Sequence, residues 1–251
     1  MIVLFTDFGL SGPYVGQVKA VLYRLAPAVP VVDLFADAPT HDPRASAYLL
    51  ASFRDEFPVG TVFECVVDPG VGSARAALAV EADGSWFVGP DNGLFEPILR
   101  RAKRWAGWAL APGDGRMTAT FHGRDLFAPA AARLALGMAA PALGATPIIP
   151  QRYPDWPDDL AEVVYVDHFG NLTTGLRAAM VPKASTLRLG GGRLNRARCY
   201  GDVPQGEAFW YENSNGLVEI AVNQGRACDT LTAGLGTEIL IERENCAFLG
   251  R

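Results

Sequence analysis

The sequence predicts an α/β N-terminal domain with a mostly parallel sheet, followed by a smaller all-β C-terminal barrel. Three observations carry this. Strand-like and helix-like segments alternate through the first half, the pattern of helices packed on both faces of a parallel sheet. Prolines 141, 147, 150, 154 and 157 crowd a stretch of seventeen residues that cannot be helix interior. Beyond them come short strand candidates separated by Gly, Asn and Pro turns, the texture of a small barrel. The predicted domains are residues 1–150 and 151–251, joined through the proline-rich connector near residue 155.

In chain order, Ile2–Phe5 reads as a strand, Tyr14–Leu25 as a helix, Val29–Leu34 as a strand and Arg44–Phe53 as a helix. Thr61–Val67, Ala77–Ala82 and Trp86–Val88 read as strands, Phe95–Arg104 as a helix, and Asp125–Met138 as a helix with Asp125 as its N-cap. In the second half Ala161–Asp167, Thr186–Leu189, Ala208–Tyr211, Val218–Val222 and Glu238–Glu242 are the strand candidates, with one turn near Arg177–Met180. Ligands of open α/β sheets gather beyond the carboxyl ends of strands. Asp7, Asp37 and Asp68 fall at or just past such ends.

Bulk properties narrow the classes. A chain of 251 residues with 49% hydrophobic content can bury a real core. A net charge of −5 argues against a nucleic-acid partner, which calls for a basic stripe. The first ten residues lack a basic n-region and meet Asp7 early, unlike a signal peptide. Phe127–Pro150 carries Arg133 and several prolines, so no membrane span is expected. Cys65, Cys199, Cys228 and Cys246 have no paired spacing and read as reduced thiols of a cytoplasmic protein. No HxH or HExxH spacing exists among the three histidines, and no metal is expected.

Three polar clusters remain. Asp68-Pro69-Gly70-Val71-Gly72-Ser73-Ala74-Arg75 follows a strand and delivers an acid and a cation together. Its Gly-x-Gly is not a dinucleotide fingerprint, because a strand and not a helix follows. The plain alternative is a tight loop with Asp68 capping backbone and pairing with Arg75 at the surface. His122, in Phe121-His122-Gly123-Arg124-Asp125, stands just outside a helix N-terminus, which favours the neutral imidazole; a purely structural histidine is the alternative. Asp7, in Thr6-Asp7-Phe8-Gly9, suits a ribose diol or else caps a turn. Further on, Asp167-His168-Phe169-Gly170-Asn171 offers a carboxylate, an aromatic face and an amide able to read a purine edge. Asn213-Ser214-Asn215-Gly216 on its own reads as a hairpin turn.

Taken in order, and with Gly89-Pro90-Asp91-Asn92-Gly93, these motifs resemble the adenosine-forming S-adenosyl-L-methionine hydrolases, also called SAM hydroxide adenosyltransferases, relatives of the fluorinase and chlorinase. The resemblance runs from about residue 2 to 242. It implies water attack at C5′ of the substrate, releasing adenosine and L-methionine, with no cofactor. A catalytic Asp–Arg–His set would fall on Asp68, Arg75 and His122: Arg75 easing hydroxide development, Asp68 orienting, His122 able to take the proton. Asp7 would hold the ribose, Asn171 the adenine with Phe169 beside it, and Asp167 the methionine amine. Ser214 would contact the methionine carboxylate, with Glu219 and Val222 on the matching strand. The resemblance also implies a homotrimer with active sites at subunit interfaces. Gly12 departs from it, since several relatives carry an acid there. The halogenating relatives have Tyr, Tyr and Ser where this chain has His122, Asp68 and Gly123, which argues against the rival SAM-dependent 5′-halogenase. A non-catalytic adenosine or SAM sensor would not need the acid, cation and imidazole as a set.

Overall fold

Ile2–Thr6 forms strand β1, and every residue in it is buried, as befits an interior strand covered on both faces. The computed structural model describes residues 1–112 and 117–242, and its contacts divide the chain into two compact units, Met1–Asp155 and Trp156–Arg251. In the first unit, α1 (Tyr14–Leu25) buries Val18, Val21 and Leu22 and leads to β2 (Val31–Phe35). Helix α2 (Pro43–Phe53) starts with a proline at its first position, and the Asp42 carboxylate accepts from Ala45 N at 2.9 Å. Strand β3 (Val62–Val66) is fully buried like β1. Strands β4 (Ala77–Ala82) and β5 (Ser85–Pro90) form a hairpin across Asp83-Gly84, whose φ values of 48° and 86° fit a tight primed turn. Then come α3 (Glu96–Arg101), β6 (Trp105–Ala109), α4 (Ala128–Ala135) and β7 (Thr146–Pro147).

The seven strands lie in the order β2-β1-β3-β5-β4-β6-β7. The sheet is mixed, not mostly parallel as expected. β2, β1, β3 and β5 run parallel to their neighbours, whereas β4, β6 and β7 join antiparallel. The reason is local: the two-residue turn at Asp83-Gly84 forces an antiparallel return, and β6 and β7 follow on that edge. Part of the proline-rich connector thus becomes an edge strand, where Pro147 is tolerated. β3 and β5 approach so closely that a Cβ at Gly89 would sit 2.1 Å from the Cys65 carbonyl oxygen.

A second departure concerns the helix expected over Asp125–Met138. Gly123–Phe127 is a π turn, and regular α-helix runs only over α4. Pro129 has no N–H to bond back to Asp125, and its ring crowds that carbonyl. The chain widens instead, with Ala128 N bonding Gly123 O. Asp125 is therefore inside the turn and is no N-cap; the capping position is His122.

The second unit contains β8 (Leu160–Val166), β9 (Leu172–Arg177), β10 (Thr186–Leu189), β11 (Gly192–Arg196), β12 (Ala208–Glu212), β13 (Leu217–Val222), a short helix α5 (Ala227–Thr230) and β14 (Leu240–Glu242). Their order is β14-β10-β11-β12-β13-β9-β8 around a core of Trp210, Leu172, Leu187 and Ile220. This is a curled sheet, not a closed barrel. Its margins approach through Val163 N to Thr237 O and Ile239 N to Ala161 O, both 2.9 Å, with one isolated bridge at Glu162–Glu238. Three-residue β14 is too short to complete a ladder. Asn213–Gly216 is the hairpin turn between β12 and β13, with Gly216 at φ 77°. Cys65, Cys199 and Cys228 are free thiols, and Cys246 lies outside the described residues. Among the described residues no helix is long and apolar enough to cross a membrane.

One buried group went unnoticed in the sequence. Glu64, at the centre of β3, is fully buried, and neither carboxyl oxygen has a hydrogen-bond partner among the described residues. Burial pushes its pKa well above the ordinary 4.5, which favours the protonated carboxyl. The folded state then binds more protons than the unfolded one above pH 4.5, and stability must fall as pH rises from there. Glu64→Leu should stabilise the chain by roughly 1–3 kcal/mol at pH 8. Thermal melts between pH 5 and 8 should show a gain that grows with pH; an equal gain at both ends would refute the protonated carboxyl.

Candidate active site

β1 and β3 are parallel neighbours, with Thr6 opposite Val66. The chain leaves β1 for β2 on one side and returns to β3 on the other, so a crevice opens beyond their carboxyl ends. Asp7 and Asp68 stand there. The Asp7 carboxylate accepts from His41 N at 3.0 Å, and His41 adopts a left-handed φ of 58°. Burial raises the Asp7 pKa, opposed by the His41 hydrogen bond; the Asp68 charge adds a smaller upward push.

After β3 the chain makes two successive tight turns, Val71 N to Asp68 O at 3.3 Å and Ser73 N to Gly70 O at 3.0 Å. Gly72 is indispensable between them: its φ is 79°, and a Cβ would lie 2.6 Å from Ala119 O. Asn92 Nδ2 donates to Val67 O at 2.9 Å and fixes the start of the loop. Arg75 is thereby folded back on Asp68. Its Nε donates to Oδ1 at 2.9 Å and its Nη2 to Oδ2, a bidentate pair. Both side chains are nearly buried, with 4% of Asp68 and 10% of Arg75 exposed, so the surface-loop reading fails. The guanidinium also faces the Phe127 ring at 5.4 Å.

His122 completes the chain, its Nδ1 lying 3.1 Å from Arg75 Nη2. A guanidinium only donates, so Nδ1 must be the acceptor and the neutral ring carries its proton on Nε2. Burial and then the Arg75 charge lower the His122 pKa, against smaller upward pulls from Asp68 and Asp125. The turn is braced from behind: Asp125 accepts from Thr118 N at 2.9 Å, from Thr118 Oγ1 at 2.6 Å and from Arg124 Nε at 2.7 Å. These bonds hold the Asp125 pKa at about 2 in spite of its burial. Phe121 packs edge-on against Phe8 and Tyr14 at 5.6 and 5.5 Å, and Phe8 is tilted against Tyr14 at 6.2 Å.

In the second unit the turn 167–171 is locked by its own ends. Asn171 N and Nδ2 donate to the two oxygens of Asp167 at 2.8 and 2.9 Å. The amide keeps its carbonyl oxygen and one N–H for a ligand, and Phe169 at the tip is 70% exposed. Phe169, Asn171 and Val222 share a concavity of about 610 Å³ with His168, Tyr200 and Arg226. Asp167 acts on Asn171. Ser214 is exposed in the β12–β13 turn and lies outside this concavity. Glu219 is enclosed, accepting from Tyr211 OH and, at 3.0 Å each, from Thr173 Oγ1 and Asn213 Nδ2. It braces the Asn213 turn and lies outside the concavity too. Sequence reasoning missed Tyr200, Arg226 and His41, which belong to no quoted motif as functional groups. It also passed over the role of Asn92, although that residue stands in one. Among the described residues no cluster of three His, Cys, Asp or Glu side chains could hold a metal.

An acid, a cation and a neutral imidazole hydrogen-bonded at the carboxyl edge of an α/β sheet define a site able to orient and polarise a small nucleophile. Residues 2–144 match the SAM hydroxide adenosyltransferase N-terminal domain and residues 161–240 its C-terminal domain; the chain belongs to that family. A (R)-S-adenosyl-L-methionine hydrolase of Thermus thermophilus is 44% identical over 250 residues, covering 90% of this chain and 93% of that protein. The hydrolase of Salinispora arenicola is 40% identical, covering 94% and 95%. A fluorinase of Nocardia brasiliensis is 22% identical over 96% of this chain and 97% of its own. Among solved structures, a conserved protein from Thermotoga maritima superposes with a TM-score of 0.88 at 31% identity, covering 96% of this chain and all of that one.

The ring assignment is directly measurable. Imidazole ¹⁵N spectra should show His122 unprotonated at Nδ1, titrating below the ordinary 6.5. In Arg75→Ala the midpoint should rise; an unchanged midpoint would break the Arg75–His122 link.

Proposed function

We propose that this chain hydrolyses S-adenosyl-L-methionine to adenosine and L-methionine, with water attacking C5′ in line with the departing sulfur. The observation that carries this reading is the hydrogen-bonded set Asp68–Arg75–His122 beside Asp7, in a family whose curated relatives bear the hydrolase name. The C5′–S bond breaks with its electrons going to sulfur, and the product is a neutral thioether. No general acid and no cofactor are required for that departure.

The nucleophile is the harder half. Water must be held in line and its proton received as the C5′–O bond forms. Arg75 has five N–H groups. Two serve Asp68, one His122 and one the Ala76 carbonyl at 3.1 Å, leaving a single Nη1–H. It is therefore chiefly the residue that positions the other two. Each Asp68 oxygen keeps a lone pair for the water proton, which passes to it and then to solvent. The base role expected of His122 does not fit its tautomer. Its Nε2–H is a donor, suited to fixing the ribose 5′ region or the water from the opposite side.

Asp7 holds the ribose diol; Phe169, Asn171 and Val222 take the adenine. Asp167 and Ser214 address the methionine portion, with Glu219 acting through the Asn213 turn. A cytoplasmic homotrimer with active sites at subunit interfaces belongs to the same reading, as implied by the family.

Turnover in H₂¹⁸O should place one heavy oxygen on the adenosine 5′ hydroxyl, read by mass spectrometry. Unlabelled adenosine would end the proposal. Asp68→Asn should lower kcat by about 10²–10⁴-fold while adenosine affinity changes little. His122→Asn keeps an acceptor for Arg75 and should lose less activity than His122→Ala. Equal losses would show that the Arg75 contact is irrelevant.

A further inference from the structure

Away from the site, α1 and the turn leading into α4 frame a separate cavity of about 530 Å³. That is the size range of small-molecule sites. Its geometry follows from one contact: Gln17, near the start of α1, accepts from Arg124 Nη1 at 2.8 Å at the head of the π turn. α1 packs along both the π turn and α4, so with their starts joined the two helices run in the same general direction. Arg24 lies seven residues beyond Gln17 and Arg133 nine beyond Arg124, so both stand at the far end of the cavity, which they line. At 1.5 Å per helical residue that is about 10 Å away. Between the ends the floor is apolar, formed by Val21, Leu25, Ala130 and Leu143.

The charges are unequal in their commitments. Arg124 is neutralised by Asp125 and also donates to the Gln17 amide oxygen. Arg24 and Arg133 are both exposed, and neither guanidinium makes a hydrogen bond or ion pair among the described residues. In a chain of net charge −5 this corner holds two cations that no acid among the described residues pairs with, over an apolar trough. Two guanidinium groups without a bonded acid at one end of a cavity offer the fork of N–H donors that carboxylates and phosphates accept.

We propose that this cavity binds an amphipathic organic anion, with its carboxylate or phosphate head between Arg24 and Arg133 and an apolar body of about 10 Å along α1 and α4. The inference is independent of the reaction proposed above. The neighbouring Arg124–Asp125 bonds give the cavity a physical link to the turn that carries His122.

Calorimetry of the full chain with octanoate and with octyl phosphate should give saturable binding at one site for at least one of them. Octan-1-ol, with the same body and no charge, should bind at least roughly tenfold more weakly. Arg24→Ala and Arg133→Ala should each weaken the anion by roughly ten- to hundredfold with unchanged melting temperature. Saturating adenosine should leave the affinity unaltered. Absence of saturable binding by both anions, equal affinity for the alcohol, undiminished affinity in the double variant, or displacement by adenosine would each overturn the proposal.

Discussion

The bidentate contact between Asp68 and Arg75 organises the first unit's chemistry. Taken singly, a nearly buried carboxylate and a nearly buried guanidinium would each be costly. Paired in parallel N–H···O geometry they satisfy each other, and the pair then dictates what can stand beside it. Because Arg75 has a further N–H directed at His122, the imidazole is fixed in one tautomer. Because Arg75 is seven residues from Asp68, the intervening loop must double back through two tight turns, and Gly72 must take a conformation and a space that no side chain can share. The loop is therefore shaped by the ion pair as much as by its own sequence.

Behind that pair the sheet supplies rigidity. β1 and β3 are buried on both faces, and their parallel register puts the two acids off neighbouring strand ends. The π turn before α4 carries His122 to Arg75. It owes its width to Pro129, and Asp125, bound by Thr118 and Arg124, holds it in place. Three separated stretches of chain thus meet through a proline, a glycine and a set of charge-assisted hydrogen bonds.

Much of this was legible before the structure. Alternating strands and helices placed the carboxyl ends of β1, β2 and β3 to within one residue, and the clusters at Asp7, Asp68 and His122 stood out as candidates. The local periodicity failed where pairing partners decide the outcome. Nothing in Ala77–Ala82 announces that it returns antiparallel, since a strand's direction depends on a turn of two residues. Asp125 matched the N-cap pattern, but the pattern ignores a proline four residues on that has no N–H to give the Asp125 carbonyl. Glu64 escaped notice because one acid in an apolar strand breaks the alternation without saying which face it occupies. Arg226 and Tyr200 reach the second unit's concavity from loops that carry no periodic signal at all.

The balance of charge explains why such a site suits a sulfonium substrate under the proposed reaction. Asp68 and Arg75 cancel, and His122 is neutral, so the three contribute no net charge where bond breaking occurs. A sulfonium loses its positive charge as the thioether leaves, and a strongly anionic pocket would hold the reactant more firmly than the transition state, raising the barrier. A strongly cationic one would repel the substrate outright. A neutral but polar constellation avoids both penalties, while its fixed dipoles still act on the incoming oxygen as charge moves onto it. Asp7 is a further acid at this edge of the sheet. Burial weakens its hold on a negative charge and His41 N opposes that shift; its proposed task, accepting hydrogen bonds from neutral hydroxyls, does not change as the sulfonium charge disappears.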